Sequence, residues 1–194
     1  MNILLHTCCA NCALYPVSYL RDRGERVTGY WFNPNIHPFL EYRNRLNSVR
    51  KMEDILGLQM LYQDTYGLIP FVRAIAGKEN QRCRVCYFLR LEETARKSVA
   101  EGFDAFSTTL LISPYQDQEL LRDTGNFLAR RYNVEFLFQD FREGFREAQK
   151  RAAGLGLYQQ KYCGCIYSEA ERYQKVRKPG RSNAPLPGRI TFSG

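Results

Sequence analysis

The sequence predicts an α/β fold: a doubly wound parallel sheet of about five strands with helices on both faces. Two observations predict it. Five short apolar runs are spaced along the chain, and patterns of helical period lie between them; this alternation implies a parallel sheet covered by helices. The first run, Asn2-Ile-Leu-Leu-His6, is a short buried strand. Val27-Thr-Gly-Tyr-Trp-Phe32, Met60-Leu-Tyr62, Ala105-Phe-Ser-Thr-Thr109 and Val134-Glu-Phe-Leu-Phe138 are the other four. Phe39, Tyr42, Leu46, Val49 and Leu56 keep the three-to-four spacing of one buried helix face, with Gly57 as a stop. Phe88, Leu91, Ala95 and Val99 do the same ahead of Gly102. Ser113-Pro-Tyr-Gln116 reads as a capping box with proline at the first helical position, opening a helix that runs to about Arg131.

The 194 residues suit one compact domain, and an aromatic content of 13% agrees with a folded core. We assign residues 1–174 to that domain and 175–194 to a basic tail rich in proline and glycine. From Lys175 onward no acidic residue occurs, while Lys175, Arg177, Lys178, Arg181 and Arg189 do. Such a tail is either a solvated end or an arm for a phosphate backbone. The net charge of +8 favours a polyanionic partner. Arg142, Arg146 and Lys150 add a basic stripe, although Glu143 and Glu147 lie beside it and a solvated helix face explains it equally well. No apolar run approaches the length of a membrane span. There is no signal-peptide pattern, and the cysteine count is odd, so a reducing cytoplasm is expected rather than a disulfide framework.

The seven cysteines fall into three tight groups: Cys8-Cys9-x-x-Cys12, Cys83-x-x-Cys86 and Cys163-x-Cys165. Thiols that only fill a core have no reason to keep such spacings. Three distant segments that converge on soft metal do. Four thiolates complete one tetrahedral zinc or one iron–sulfur cluster, so three remain for a second site. By spacing, Cys9, Cys12, Cys83 and Cys86 form the four-thiolate set. Successive side chains leaving a strand point in different directions, so Cys8 is expected to face a second centre with Cys163 and Cys165. All three groups are expected at helix N-termini along the carboxyl edge of the sheet, where thiolate is stabilised and ligands of such folds bind. The turn after the first strand holds no glycine, which speaks against a phosphate loop and ATP chemistry.

His6-Thr-Cys-Cys-Ala-Asn-Cys12, Phe32-Asn-Pro-Asn-Ile-His-Pro38, Arg82-Cys-Arg-Val-Cys-Tyr-Phe-Leu-Arg-Leu91, Ser107-Thr-Thr-Leu-Leu-Ile-Ser-Pro-Tyr-Gln-Asp117 and Tyr162-Cys-Gly-Cys165 occur in that order. Together they resemble the signature blocks of QueH-type epoxyqueuosine reductases over most of residues 1–168. Asn11 departs from the pattern, where proline is expected; the change should alter the turn more than the ligand set. The resemblance implies a HUP-like, Rossmann-like fold, a [4Fe–4S] cluster and an adjacent mononuclear iron. It also implies cobalamin-independent reduction of epoxyqueuosine to queuosine at the wobble position of tRNA, with electrons from an external donor.

Removing the epoxide oxygen as water needs two electrons and two protons. An iron with an open position can act as a Lewis acid on that oxygen, and the cluster can feed electrons. Asp117, Tyr115 and His37 are the candidate proton donors. Each also has a structural reading: Asp117 in the first turn of its helix, Tyr115 in packing, His37 bracing a proline-rich turn. Arg82 and Arg90 flank the second cysteine pair as candidate phosphate contacts, Arg82 before Arg90. The rival readings are an ATP-dependent iron–sulfur tRNA thiolase and a non-enzymatic zinc protein that binds RNA.

Overall fold

Each apolar run becomes a strand of a single parallel sheet, in the spatial order β3-β2-β1-β4-β5. The computed structural model describes residues 1–174. The strands are β1 (Asn2–His6), β2 (Arg26–Trp31), β3 (Met60–Tyr62), β4 (Ala105–Thr108) and β5 (Glu135–Phe136). The helices are α1 (Ala10–Asp22), α2 (Phe39–Leu56), α3 (Leu68–Ile75), α4 (Arg82–Glu101), α5 (Gln118–Tyr132), α6 (Phe145–Gly154) and α7 (Ile166–Tyr173).

β1 is the central strand. It pairs with β2 from Asn2↔Arg26 to His6↔Tyr30 and with β4 from Ile3↔Ala105 to His6↔Thr108. Covered on both faces, it shows no alternation, and Ile3, Leu4 and Leu5 are all fully buried. The chain winds outward from β1 through β2 to β3, then returns to the other side of β1 for β4 and β5. Right-handed crossovers therefore put α1 and α2 on one face and α4 and α5 on the other. Helix packing follows this division, α1 against α2 and α6, and α4 against α5. Strand order reverses between β1 and β4, the place where ligands of such folds bind, and His6 and Thr108 mark the carboxyl ends of these two strands.

Gly57 and Gly102 end α2 and α4 at positive φ, 52° and 72°, as the spacing predicts. Four expectations need correction. The capping box does not form: Ser113 Oγ accepts from the amide of Tyr115 in a local turn, at 3.3 Å. The helix instead starts at Gln118, capped by Asp117, whose Oδ1 accepts from the Leu120 amide at 3.0 Å. β5 is shorter than its apolar run, because only Glu135 and Phe136 find partners on β4. Phe39 and Val99, placed by periodicity on buried faces, are 47% and 50% exposed, since each sits at the end of its helix. α1 carries Pro16 and α3 carries Pro70, which obscure both helices at the level of pattern. Among the described residues no helix is long and apolar enough to cross a membrane.

Candidate metal centre

The chain leaves β1 at His6 and enters α1 within four residues, and this tight passage concentrates the first three thiols. Cys9 is the N-cap of α1, in extended conformation, and its sulfur accepts from the Cys12 amide at 3.3 Å, as a serine or aspartate oxygen would. The sulfurs of Cys8, Cys9 and Cys12 lie within 4.8 Å of one another, all buried. Here the directional argument for Cys8 fails. Its sulfur is 3.9 Å from that of Cys9, because the chain has already turned out of the strand at Thr7.

Thr109, just past β4, donates its hydroxyl to Cys8 Sγ at 3.2 Å and accepts from the Cys8 amide at 3.0 Å. Gln160 donates its amide to Cys9 Sγ at 2.8 Å. Asn11, at the position where proline is expected, holds Gln159 and Gln160 through its own amide at 3.2 and 3.3 Å. The Asn11 side chain therefore acts on Gln160, a neighbour of the thiols.

Hydrogen bonds from Cys12 and Cys9 hold the Cys8 thiol well below the usual range, against its burial. Burial pushes Cys9 up to about 12, and Cys12 is raised by its hydrogen bonds to Cys8 and Cys9. Three buried sulfurs this close together, with the charged form favoured at Cys8, make a donor set suited to a soft cation.

The second pair opens α4. Cys86 is buried with Phe71, Ile75 and Cys165 in a small apolar cluster, while Cys83 is exposed. Burial pushes Cys86 up to about 12. Burial also raises Cys83, and the Cys163 thiol adds to the effect. Cys165 is the N-cap of α7, and burial raises its thiol too. Cys163 is exposed, with its sulfur 2.9 Å from Ser168 Oγ. All three cysteine groups thus sit at helix N-termini. The structure brings Cys8 to Cys9 and Cys12, and brings Cys83 and Cys86 to the Cys163–Cys165 segment.

Two buried arginines hold this arrangement. Arg45 of α2, 2% exposed, bonds Glu41 through Nε at 2.7 Å and the carbonyls of Cys163 and Tyr162 at 3.0 and 2.8 Å. Between the third pair of cysteines, Gly164 has φ 118°, and an added Cβ there would lie 3.0 Å from Ile36. Its carbonyl accepts from the His37 amide at 2.8 Å.

Arg90 of α4, also 2% exposed, lies one turn after Cys86 and contacts its sulfur at 3.6 Å. It donates to Asn33 Oδ1 at 2.9 Å and to His6 Nε2 at 3.3 Å. His6 Nε2 also lies 3.2 Å from the Phe32 carbonyl, and Nδ1 lies 2.9 Å from Thr108 Oγ1, so the ring is held at both nitrogens. Burial, aided by the Arg90 charge, lowers His6 to about 3 and keeps it neutral. Burial also excludes Arg90 from a phosphate contact.

The remaining candidates separate clearly. Asp117 is exposed, caps α5 and lies within Coulombic reach of Cys83. Tyr87 fixes that turn, accepting from the Asp117 amide at 3.2 Å. Tyr115 is 83% exposed beside Phe145. His37 is fully buried against Tyr66 and Phe71, neither ring nitrogen has a partner, and burial lowers it to about 4. Arg82 is paired with Glu171 and stacks over Tyr167, bracing α4 against α7. Lys175, Arg177 and Lys178 lie outside the described residues. Spacing missed Thr109, Gln160 and Arg45, which touch the cysteine segments only through tertiary contacts. For Arg90 a signal existed in its i+4 offset from Cys86.

Comparison with known proteins places the chain in a family. The profile of a family described as "Epoxyqueuosine reductase QueH" matches residues 3–171. A protein of that name from Dehalococcoides mccartyi is 36% identical over 178 residues, covering 92% of this chain and 98% of the relative. One from Thermotoga maritima is 33% identical over 95% of this chain and 99% of its own length. A solved structure titled as a predicted subunit of tRNA methyltransferase, from Methanocaldococcus jannaschii, aligns with TM-score 0.54 over 79% of this chain and 74% of its own, at 12% identity. That last likeness concerns the fold alone. With the profile spanning nearly all of the described residues, the chain belongs to the epoxyqueuosine reductase QueH family.

Proposed function

We propose that this protein reduces epoxyqueuosine in tRNA to queuosine, in the cytoplasm, by two-electron deoxygenation that gives an alkene and water. The observation that carries the reading is the cluster of Cys8, Cys9 and Cys12 sulfurs after β1, all within 4.8 Å of one another, with Cys86 and Cys165 packed in a second cluster. Soft, buried sulfurs at helix N-termini fit iron and sulfide. Bound there, a [4Fe–4S] cluster would supply electrons and a second, mononuclear iron with an open position would supply Lewis acidity.

The grouping in space supports a partition different from that of spacing. Cys83, Cys86, Cys163 and Cys165 form the four-thiol set for the cluster. Cys8, Cys9 and Cys12 form a three-thiol set that leaves one position for substrate oxygen. Thr109 and Gln160 orient the sulfurs of that smaller set. Asp117, at the exposed mouth, keeps one carboxylate oxygen on the Leu120 amide and has the other to hold a proton for the departing oxygen; Tyr115 stands beside it. His37, neutral and enclosed, shapes the wall behind the Gly164 carbonyl. Arg82 and the basic residues 175, 177 and 178 are the candidate contacts for the phosphates of the tRNA, and an external donor supplies the electrons.

The test is to incubate anaerobically reconstituted protein and a chemical reductant with tRNA containing epoxyqueuosine, then digest the tRNA and weigh its nucleosides. Loss of one oxygen mass without cobalamin or ATP is expected. An unchanged nucleoside with metal-replete, reducible protein overturns the assignment, and a requirement for ATP would favour the thiolase reading.

A further inference from the structure

Arg90 is a full positive charge buried without a carboxylate. Its three polar partners are His6 Nε2, Asn33 Oδ1 and Cys86 Sγ, and it makes no ion pair with an acidic residue among those described. His6 is neutral and Asn33 is spoken for, its amide donating to the Thr7 carbonyl at 2.9 Å. Arg45, the other deeply buried arginine, has Glu41 beside it. An isolated buried cation is costly, and folded proteins keep one only where a negative charge compensates it.

The groups able to become negative around Arg90 are thiols. Cys86 touches it, and Cys8 and Cys163 lie within its electrostatic reach. Arg90 is therefore in reach of thiols from all three cysteine segments, anchored by Asn33 and His6 to the ends of β1 and β2. Its fork points one arm at a sulfur and two at fixed neutral groups, a geometry that lysine cannot reproduce.

We propose that Arg90 is the counter-charge of the thiolate centre, a positioning residue that holds Cys86 and offsets the negative charge carried by the loaded site. This rests on the iron–sulfur reading above. A cation beside the sulfurs favours the reduced, more negative state, since net charge and hydrogen bonds to sulfur set the potential of such centres. The charge is also needed most when the site is filled and least when its thiols are protonated.

The experiment compares wild type, R90M and R90K, each metal-free and each reconstituted anaerobically with ferrous iron and sulfide. Three quantities are read: thermal midpoint, rate of iron loss to a chelator, and midpoint potential of the visible chromophore. R90M should lose iron about ten- to a hundredfold faster, the range expected for removing a hydrogen bond to a charged group. Its potential should shift to more negative values, and its thermal penalty should be larger in the loaded than in the metal-free protein. R90K should fall between R90M and wild type in all three.

Equal penalties in both forms, or a potential unchanged in R90M, would overturn the proposal. So would identical shifts in R90M and R90K, which would mean that shape matters and charge does not. A metal-free R90M that does not fold also overturns it, because the guanidinium would then serve the fold. Wild-type protein that takes up no sulfide is a separate result, and it removes the cluster reading together with this role.

Discussion

Replacing Arg45 by methionine should cost the metal-free protein about 3–5 kcal/mol, the usual penalty for breaking a buried ion pair from one side. The figure follows from what is left behind. Glu41, 7% exposed, would keep a buried carboxylate with only the Tyr158 hydroxyl as partner. The carbonyls of Tyr162 and Cys163 would lose charge-assisted donors at 2.8 and 3.0 Å. Those carbonyls are partly accessible and can turn to water, so most of the cost comes from Glu41. Urea unfolding followed by fluorescence of Trp31, the single tryptophan, fully buried on β2 beside Tyr42 of α2, measures it. Adding Glu41→Gln to R45M should recover about half of the loss, because the stranded charge is gone. A penalty for R45M below about 1 kcal/mol would refute the reasoning, as would a double variant no more stable than R45M. The same substitution frees the Cys163–Cys165 segment, so reconstituted R45M should hold less iron than wild type at equal protein.

Two other perturbations separate parts of the account. Cys86→Ala and Cys165→Ala should both bleach the chromophore, whereas Cys8→Ala and Cys12→Ala should keep most of it and lose turnover; bleaching in Cys12→Ala with a brown Cys165→Ala would restore the partition read from spacing. The chain's two histidines, both lowered by burial, should make the metal-free protein acid-sensitive. The unfolded chain binds their protons first as the pH drops below about 6.5, so stability present above that value declines towards the folded values of about 3 and 4. Each histidine contributes up to about 1.4 kcal/mol per pH unit. Urea midpoints at pH 7 and pH 5 check this, and a flat response in that interval would contradict it.

The sheet was legible because its strands are buried on both faces and carry that burial as continuous apolar runs. Ile3, Leu4 and Leu5 need no tertiary knowledge to be read as a central strand. Helix ends were legible where a glycine adopts positive φ, as at Gly57 and Gly102. The start of α5 was not, because Ser113 and Asp117 compete as caps and only the packing of Tyr87 against the Asp117 turn decides between them. The cysteine groups announced a metal site through spacing, yet spacing could not say which thiols share a centre. Cys8 joins Cys9 because the chain turns at Thr7 and Thr109 holds the sulfur, a contact spanning 101 residues. Arg45 and Arg90 illustrate the same limit: the pattern does not single out Arg45 and offers Arg90 as a phosphate contact, and only the folded site shows why each is buried.

The central claim is that electrons pass from thiolate-held iron to the epoxide of a tRNA nucleoside. A single-turnover experiment tests it directly, with pre-reduced protein, no free reductant, and substrate tRNA in excess. The oxidation of the visible chromophore and the mass of the released nucleoside are followed in one sample. The account predicts two electron equivalents lost by the protein for each nucleoside that loses one oxygen. Oxygen loss with no change in the chromophore, or chromophore oxidation with the nucleoside mass intact, would contradict it.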